Sequence, residues 1–156
     1  MKILFVCSSN ICRSPYCEYV FKRMVQADPK LAEKVTWIRS AAVFNKSSKI
    51  HPKAKLALLR EGFDEAYIDS HRPAFKWTDK DLFETADVIV GMTRTNKLVT
   101  PCKYRKKFIT LSELVDGKYK AVPDPFLERD INKYYAVMDI LKDYLERYSQ
   151  KLLAQD

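Results

Sequence analysis

Long apolar runs are absent from the sequence, and none of its hydrophobic segments approaches the roughly 18 residues that a membrane-spanning helix needs. The N-terminal stretch MKILFVCSSN has one lysine and a short apolar run before polar residues begin. It has neither the length nor the cleavage site of a signal peptide. We therefore expect a cytoplasmic protein that makes no contact with a membrane.

Histidine is scarce, with two in the chain, and the cysteines lack the C-x2-C spacing of a zinc site. Cys7, Cys12 and Cys17 lie close together and Cys102 stands alone. A chain of 156 residues can bury a core without disulfides or metal. We therefore expect reduced thiols, one of them available for chemistry, with no metal and no cofactor.

Repeats, low-complexity tracts and long linkers are also missing, so residues 1–156 are expected to form one domain. Charged residues make up 31% of the chain and hydrophobic residues 47%, which is typical of a globular protein. The net charge of +8 favours anionic partners. Charge alone leaves nucleic acid, acidic protein and phosphorylated substrate open.

Short apolar runs alternate with helical patterns, which predicts βαβ units around a parallel sheet. The predicted strands are 2–6, 35–40, 88–92 and 108–111. The predicted helices are 15–28, 52–61, 93–99 and a last one after Asp130, with an apolar stripe at Ile131, Tyr135, Met138, Leu141, Leu145, Tyr148 and Leu152.

The segment from Cys7 to Ser14 joins the first predicted strand to the first predicted helix, where open α/β sheets bind ligands. Ser14 is a good N-cap and Pro15 suits the first turn. Backbone N–H groups at such a helix start can hold an oxyanion, and Arg13 adds a bidentate donor that matches phosphate.

The same positive field favours the thiolate of Cys7, which is a nucleophile. The loop thus combines a nucleophile, an anion cradle and a charge clamp, as in-line attack on a phosphoryl group requires. A C-x5-R spacing alone is weak evidence. In the alternative interpretation Cys7 is a buried residue that ends a strand and Arg13 is a solvated cap.

The stretch VCSSNICRSP resembles the V-C-x-G-N-x-C-R-S-P signature of low-molecular-weight protein tyrosine phosphatases. Similarity continues in the same order through IRSAAVFN, TDKDLFETADVIVGMTRTN and VPDPF. The resemblance implies an α/β domain with a four-stranded parallel sheet, helices on both faces and a phosphate-binding loop after the first strand. It also implies a phosphotyrosine protein or peptide as substrate, inhibition by phosphate-like oxyanions, no nucleic acid, and a monomer or weak dimer.

By this resemblance Cys7 is the nucleophile, Arg13 binds phosphate, and Asp124 is the general acid that later acts as base. Ser14 would direct its hydroxyl at Cys7, and Asn10 would hold the shape of the loop. Cys12 either traps oxidised Cys7 as a disulfide or is a passive side chain. The residues expected to bind substrate or phosphate are Ser8, Ser9, Asn10, Ile11, Cys12, Ser14, Phe44, Asn45 and Phe126.

The chain departs from the family pattern at several positions. Ser9 replaces the usual glycine and is expected to be strained if that backbone needs a positive φ. Phe44 and Asn45 take the place of an aromatic–asparagine pair at the substrate mouth. Phe126 keeps an aromatic wall where relatives often carry tyrosines. A basic pair at 71–72 is either functional or a solvated loop.

Three rival functions remain open. A phosphoarginine phosphatase of the same fold would carry threonine where Ile11 stands, whereas the apolar Ile11 suits an aromatic ring. An arsenate reductase would need two further cysteines downstream, and only Cys102 is present. A basic module that binds nucleic acid or phosphorylated protein has the run 103–107 as support, although such a run is usually a solvated face.

Overall fold

The central sheet contains four parallel strands, as a computed structural model of residues 1–155 shows. The strands are β1 (Lys2–Cys7), β2 (Trp37–Ala42), β3 (Val88–Gly91) and β4 (Phe108–Thr110), arranged in the order β2-β1-β3-β4. The predicted four-stranded parallel sheet is therefore confirmed. Because β1 is a central strand, its carboxyl end is flanked by neighbours on both sides, as binding loops of α/β proteins are.

Helices surround the sheet and connect its strands. They are α1 (Arg13–Gln26), α2 (Pro29–Lys34), α3 (Pro52–Arg60), α4 (Glu65–Asp69), α5 (Lys80–Thr85), α6 (Arg94–Val99), a 3₁₀ helix (Cys102–Lys107), α7 (Leu111–Asp116) and α8 (Ile131–Ala154). None of the helices found within residues 1–155 is long and apolar enough to cross a membrane.

Alternate side chains of β1 enter two separate apolar clusters, as the two-residue period of a strand requires. Ile3 and Phe5 belong to the cluster that includes buried residues of α1, α3 and α8. Leu4 and Val6 belong to the second cluster, with residues of α5 and the 3₁₀ helix. Helices therefore cover both faces of the sheet, which agrees with the predicted fold class.

One predicted boundary is wrong and one helix was missed, both for local reasons. The second strand begins at Trp37 and not at Val35, because Val35 ends α2 and its N–H bonds the carbonyl of Leu31. The sequence pattern missed α2, although Asp28 caps it and Pro29 opens it. Because proline at the first helical position is a start signal, the Asp28-Pro29 pair was the cue that would have found this helix.

The buried stripe of α8 is wider than predicted. Tyr134 is fully buried, whereas Tyr135 is partly buried and packs under the guanidinium of Arg60, whose Cζ lies 4.1 Å from the ring centroid. Both tyrosines are compatible with the spacing to Met138, so helical periodicity alone does not choose between them. Because Tyr134 is the buried one of the two, its side chain lies beside Cys12, beneath the loop that follows β1.

Candidate active site

The loop from Cys7 to Arg13 carries its unusual backbone at Asn10. Asn10 has φ of 58°, and it is the only residue other than glycine with a positive φ in residues 1–155. Asparagine tolerates this left-handed region better than most residues. The condition for strain at Ser9 is therefore not met, because the left-handed turn lies one residue later, at Asn10.

Asn10 is fully buried and bonds three ways beneath the loop. Its Nδ2 donates to Ser14 Oγ at 2.8 Å, and its Oδ1 accepts from the N–H of Ala74 at 3.0 Å. Its carbonyl lies 2.9 Å from Nε2 of His71. The loop conformation therefore depends on the distant segment 71–74 as well as on its own residues.

His71 is buried, so the solvated-loop interpretation does not describe it, although Arg72 beside it is exposed. Burial lowers the pKa of His71 below its ordinary value, so the ring is neutral near pH 7. A carbonyl can only accept, so the neutral ring carries its proton on Nε2 and donates it to Asn10. His71 thus fixes the left-handed turn from outside the loop.

The side chain of Ser14 faces the Cys7 sulfur, with 3.0 Å between Ser14 Oγ and Cys7 Sγ. Ser14 Oγ already accepts from Asn10 Nδ2, so its own proton is available to the sulfur. The prediction that Ser14 is the N-cap of this helix is therefore wrong. The helix begins at Arg13, and Cys12 precedes it without a side-chain cap. A hydroxyl donor at this distance stabilises negative charge on sulfur.

Arg13 is buried, with 3% of its surface exposed. Its Nη1 donates to the carbonyl of Val122 at 2.9 Å, a residue 109 positions away, and its Nη2 lies 3.5 Å from Asp124 Oδ2. Its Nε has no hydrogen-bond partner among residues 1–155. Since a buried donor without an acceptor is costly, this guanidinium is suited to an oxyanion.

One cavity brings most of the predicted site residues together. Its lining consists of Cys7, Ser8, Ser9, Ile11, Cys12, Arg13, Asp124 and Phe126. Asn10 and Ser14 lie beneath the loop, so they act on the cavity through the loop. Asp124 is half-exposed at its edge, and its Oδ1 accepts from the N–H of Phe126 at 3.1 Å. The cavity therefore combines a thiol, a guanidinium, a carboxyl and an apolar wall.

Phe44 and Asn45 lie on a neighbouring loop that is attached to the first. Both backbone N–H groups donate to the carbonyl of Ser8, at 3.0 and 3.1 Å. Ser9 Oγ donates to Asn45 Oδ1 at 2.5 Å. Phe44 is 68% exposed and does not line the cavity, so its contact with a substrate would be at the outer rim.

The remaining thiols differ in environment. Burial raises the pKa of Cys12 to about 12, so this thiol is protonated at neutral pH. Cys17 is fully buried in the core, whereas Cys102 is exposed. None of the four cysteines is paired in a disulfide within residues 1–155. Within residues 1–155 no group of three or more histidine, cysteine, aspartate or glutamate side chains is placed to hold a metal ion.

Replacing Asn10 by alanine is expected to destabilise the protein by about 1–3 kcal/mol, because a buried N–H loses its acceptor and alanine is strained at positive φ. Urea unfolding measures the loss. Asn10→Gly relieves the strain but not the lost bonds, so its stability should lie between the two. Equal stability of native protein and Asn10→Ala would contradict this account of the loop.

Comparison with known proteins agrees with the geometry. Residues 2–156 match the family described as low molecular weight phosphotyrosine protein phosphatase. A protein-arginine-phosphatase of Bacillus subtilis is 31% identical over 97% of each chain. The low molecular weight phosphotyrosine protein phosphatase of Sus scrofa is 36% identical over 82% of this chain and 81% of the relative.

A solved structure extends the comparison to three dimensions. A mutant of the arginine phosphatase YwlE with a phosphorylated active-site serine superimposes with a TM-score of 0.83 and 30% identity. The alignment covers 99% of this chain and 97% of that one. Sequence match, fold and the arrangement of the loop after β1 lead to one conclusion: the chain is a phosphatase of the low molecular weight phosphotyrosine protein phosphatase family.

Proposed function

We propose that the chain hydrolyses phosphotyrosine in proteins through a phosphocysteine on Cys7, with Arg13 as the phosphate ligand and Asp124 as general acid and base. The observation that carries this proposal is the shared cavity, which brings Asp124 to the loop of Cys7 and Arg13 across the fold. The family match over residues 2–156 supports one domain that spans the chain.

In the first step, Cys7 Sγ attacks phosphorus as the bond from phosphorus to the phenolic oxygen breaks. Asp124 gives its proton to that oxygen, while Arg13 and the loop N–H groups hold the equatorial oxygens. In the second step, Asp124 takes a proton from water as the water oxygen attacks phosphorus. The P–S bond breaks, and the Ser14 hydroxyl stabilises the departing thiolate.

Phosphoarginine is the second candidate substrate, because relatives of similar identity include arginine phosphatases. A guanidinium brings several N–H donors that need acceptors in a desolvated site. Ile11 lines the cavity and offers none, and Phe126 adds an aromatic surface at the mouth. An apolar wall of this kind accommodates a phenyl ring, so phosphotyrosine is the better fit.

The basic run 103–107 does not support a nucleic-acid module. It forms the 3₁₀ helix, and its charges are used inside the fold. Arg105 donates to the carbonyls of Thr100 and Leu98, and Lys107 donates to those of Glu84 and Ala86. These two side chains bind carbonyls at the C-terminal ends of α6 and α5, which leaves fewer side chains of the run free to contact phosphates. The arsenate reductase alternative lacks the second downstream cysteine that its relay needs.

We expect the native protein to hydrolyse aryl phosphates with EDTA present, and to prefer a phosphotyrosine peptide over the matching phosphoarginine peptide. Ile11→Thr should shift the ratio of the two kcat/KM values toward phosphoarginine by about tenfold. The hydroxyl of the introduced threonine can accept one hydrogen bond from the guanidinium group of the substrate. Ile11→Val is the matched control and should leave the ratio unchanged. If the native protein prefers the phosphoarginine peptide, phosphoarginine becomes the proposed substrate. If the folded protein turns over neither peptide, both proposed substrates are wrong.

A further inference from the structure

His51 connects the loop that carries Cys7 to the segment that carries Asp124. Its backbone N–H donates to the carbonyl of Ile11 at 3.0 Å, which ties the start of α3 to the phosphate loop. Its side chain is the N-cap of α3, because Nδ1 accepts from the N–H of Lys53 at 3.1 Å. One residue therefore anchors α3 against the phosphate loop.

The imidazole ring lies between two aromatic side chains. It stacks on Tyr134 at 5.8 Å between centroids with an angle of 17°, and it meets Phe126 edge to face at 5.6 Å and 68°. Phe126 follows Asp124 by two residues and holds its carboxylate through the backbone N–H. A displacement of Phe126 therefore moves Asp124.

The other side of the ring is rigid. Tyr134 is fully buried in α8, and burial raises its pKa, with the nearby Cys12 as the next cause. Its hydroxyl lies beside the Cys12 thiol, so packing and this buried neighbour hold the ring in place. Lys53 Nζ also donates to the carbonyl of Glu128, which gives the aspartate segment a second tie to α3. The ring of His51 thus connects the buried Tyr134 of α8 to Phe126 in the segment that carries Asp124.

This arrangement needs a neutral imidazole. Nδ1 accepts a backbone proton, so it cannot carry one of its own. The charged and titratable groups that face the ring are Lys53 on α3, Asp124 on the aspartate segment and Tyr134 on α8. Burial and Lys53 lower the pKa of His51 below 6.5, while Asp124 acts in the opposite direction. Acid therefore removes the N-cap bond at a pH below the ordinary pKa of histidine.

We propose that neutral His51 is a positioning residue that holds the Asp124 segment over the phosphate loop, and that its protonation releases that segment. The inference rests on the proposed function, since it concerns how the general acid is placed. Misplacing a catalytic group by about 1 Å can cost on the order of a hundredfold in rate. The loss in rate should appear only with substrates whose leaving group must be protonated as it departs.

The test compares His51→Asn, which keeps an N-cap acceptor without the ring, with His51→Phe, which keeps a ring without the cap. The readout is kcat/KM for phenyl phosphate, whose leaving group needs a proton, and for 2,4-dinitrophenyl phosphate, whose leaving group does not. We expect His51→Asn to lose about tenfold to a hundredfold on the first substrate and less than about twofold on the second. His51→Phe should lose stability in urea and keep only part of the native ratio of the two rates, because its ring lacks the acceptor for the Lys53 N–H that fixes the imidazole.

Two further outcomes complete the test. The native ratio divided by the His51→Asn ratio at the same pH cancels the titrations that the two proteins share, and this quotient should fall toward one as pH drops below the pKa of His51. In the double variant with Asp124→Ala, His51→Asn should cost nothing more, because both act on one proton transfer. Equal losses on both substrates, or additive losses in the double variant, would overturn the inference. If Asp124→Ala alone leaves the ratio unchanged, the proposed general acid is wrong instead.

Discussion

Cys7→Ser is expected to lower the turnover of an aryl phosphate by about 10⁴-fold or more, because the other thiol in the cavity, Cys12, stays protonated at neutral pH and a serine is a poor nucleophile. The replacement exchanges sulfur for oxygen at a site that is 3% exposed and keeps a partner for the Ser14 hydroxyl. The fold should therefore survive. A serine hydroxyl stays protonated at neutral pH and lacks an adjacent base, so attack on phosphorus becomes very slow.

Initial rates with EDTA present measure the loss, and urea unfolding shows that the variant is folded. Cys102→Ser is the matched control, since this cysteine is exposed and lies outside the cavity, and its rate should equal the native one. Intact mass after long incubation with substrate should reveal one added phosphoryl group on Cys7→Ser, as the phosphorylated serine of the structural neighbour suggests. Turnover near the native level would remove Cys7 from the mechanism.

The parts of the site that are contiguous in sequence could be predicted from it. The apolar run of β1, the small polar loop and Arg13 before an amphipathic helix define a phosphate loop by local pattern alone. Local patterns also predicted the strands, because buried parallel strands are continuous apolar runs. Asp124 could be identified as the general acid only through the family resemblance, since an aspartate between two prolines usually lies in a turn.

What local pattern could not supply is contact across the fold. The side chain of His71 contacts the carbonyl of Asn10, although the two residues are 61 positions apart in the sequence. Arg13 donates to the carbonyl of Val122, which is 109 positions away. Neither His51 nor Tyr134 carries a sequence signal for its place, because N-caps and helical tyrosines are common everywhere. Ser14 is a different case, because its partner is local: its hydroxyl faces the Cys7 sulfur of the same loop and does not cap the helix.

Asp124→Ala is expected to lower kcat/KM for phenyl phosphate by about 10²–10⁴-fold, the usual contribution of a general acid. For 2,4-dinitrophenyl phosphate the loss in kcat/KM should be small, because its phenolate departs without a proton. Asp124→Asn should behave alike, since an amide oxygen keeps the bond from the Phe126 N–H but cannot move a proton. Glu128→Gln is the control from the same segment and should leave both rates near native.

Phosphate affinity gives an independent view of the same residue. Asp124 Oδ2 lies 3.5 Å from Arg13 Nη2, so the carboxylate competes with an oxyanion for this guanidinium. Because the carboxyl is half-exposed, the effect of its removal is modest, up to about 1 kcal/mol or roughly fivefold. Inorganic phosphate should therefore inhibit Asp124→Ala more strongly than it inhibits the native protein. A variant with lower activity and weaker phosphate binding would instead indicate a disturbed loop, and the general-acid assignment would lose its support.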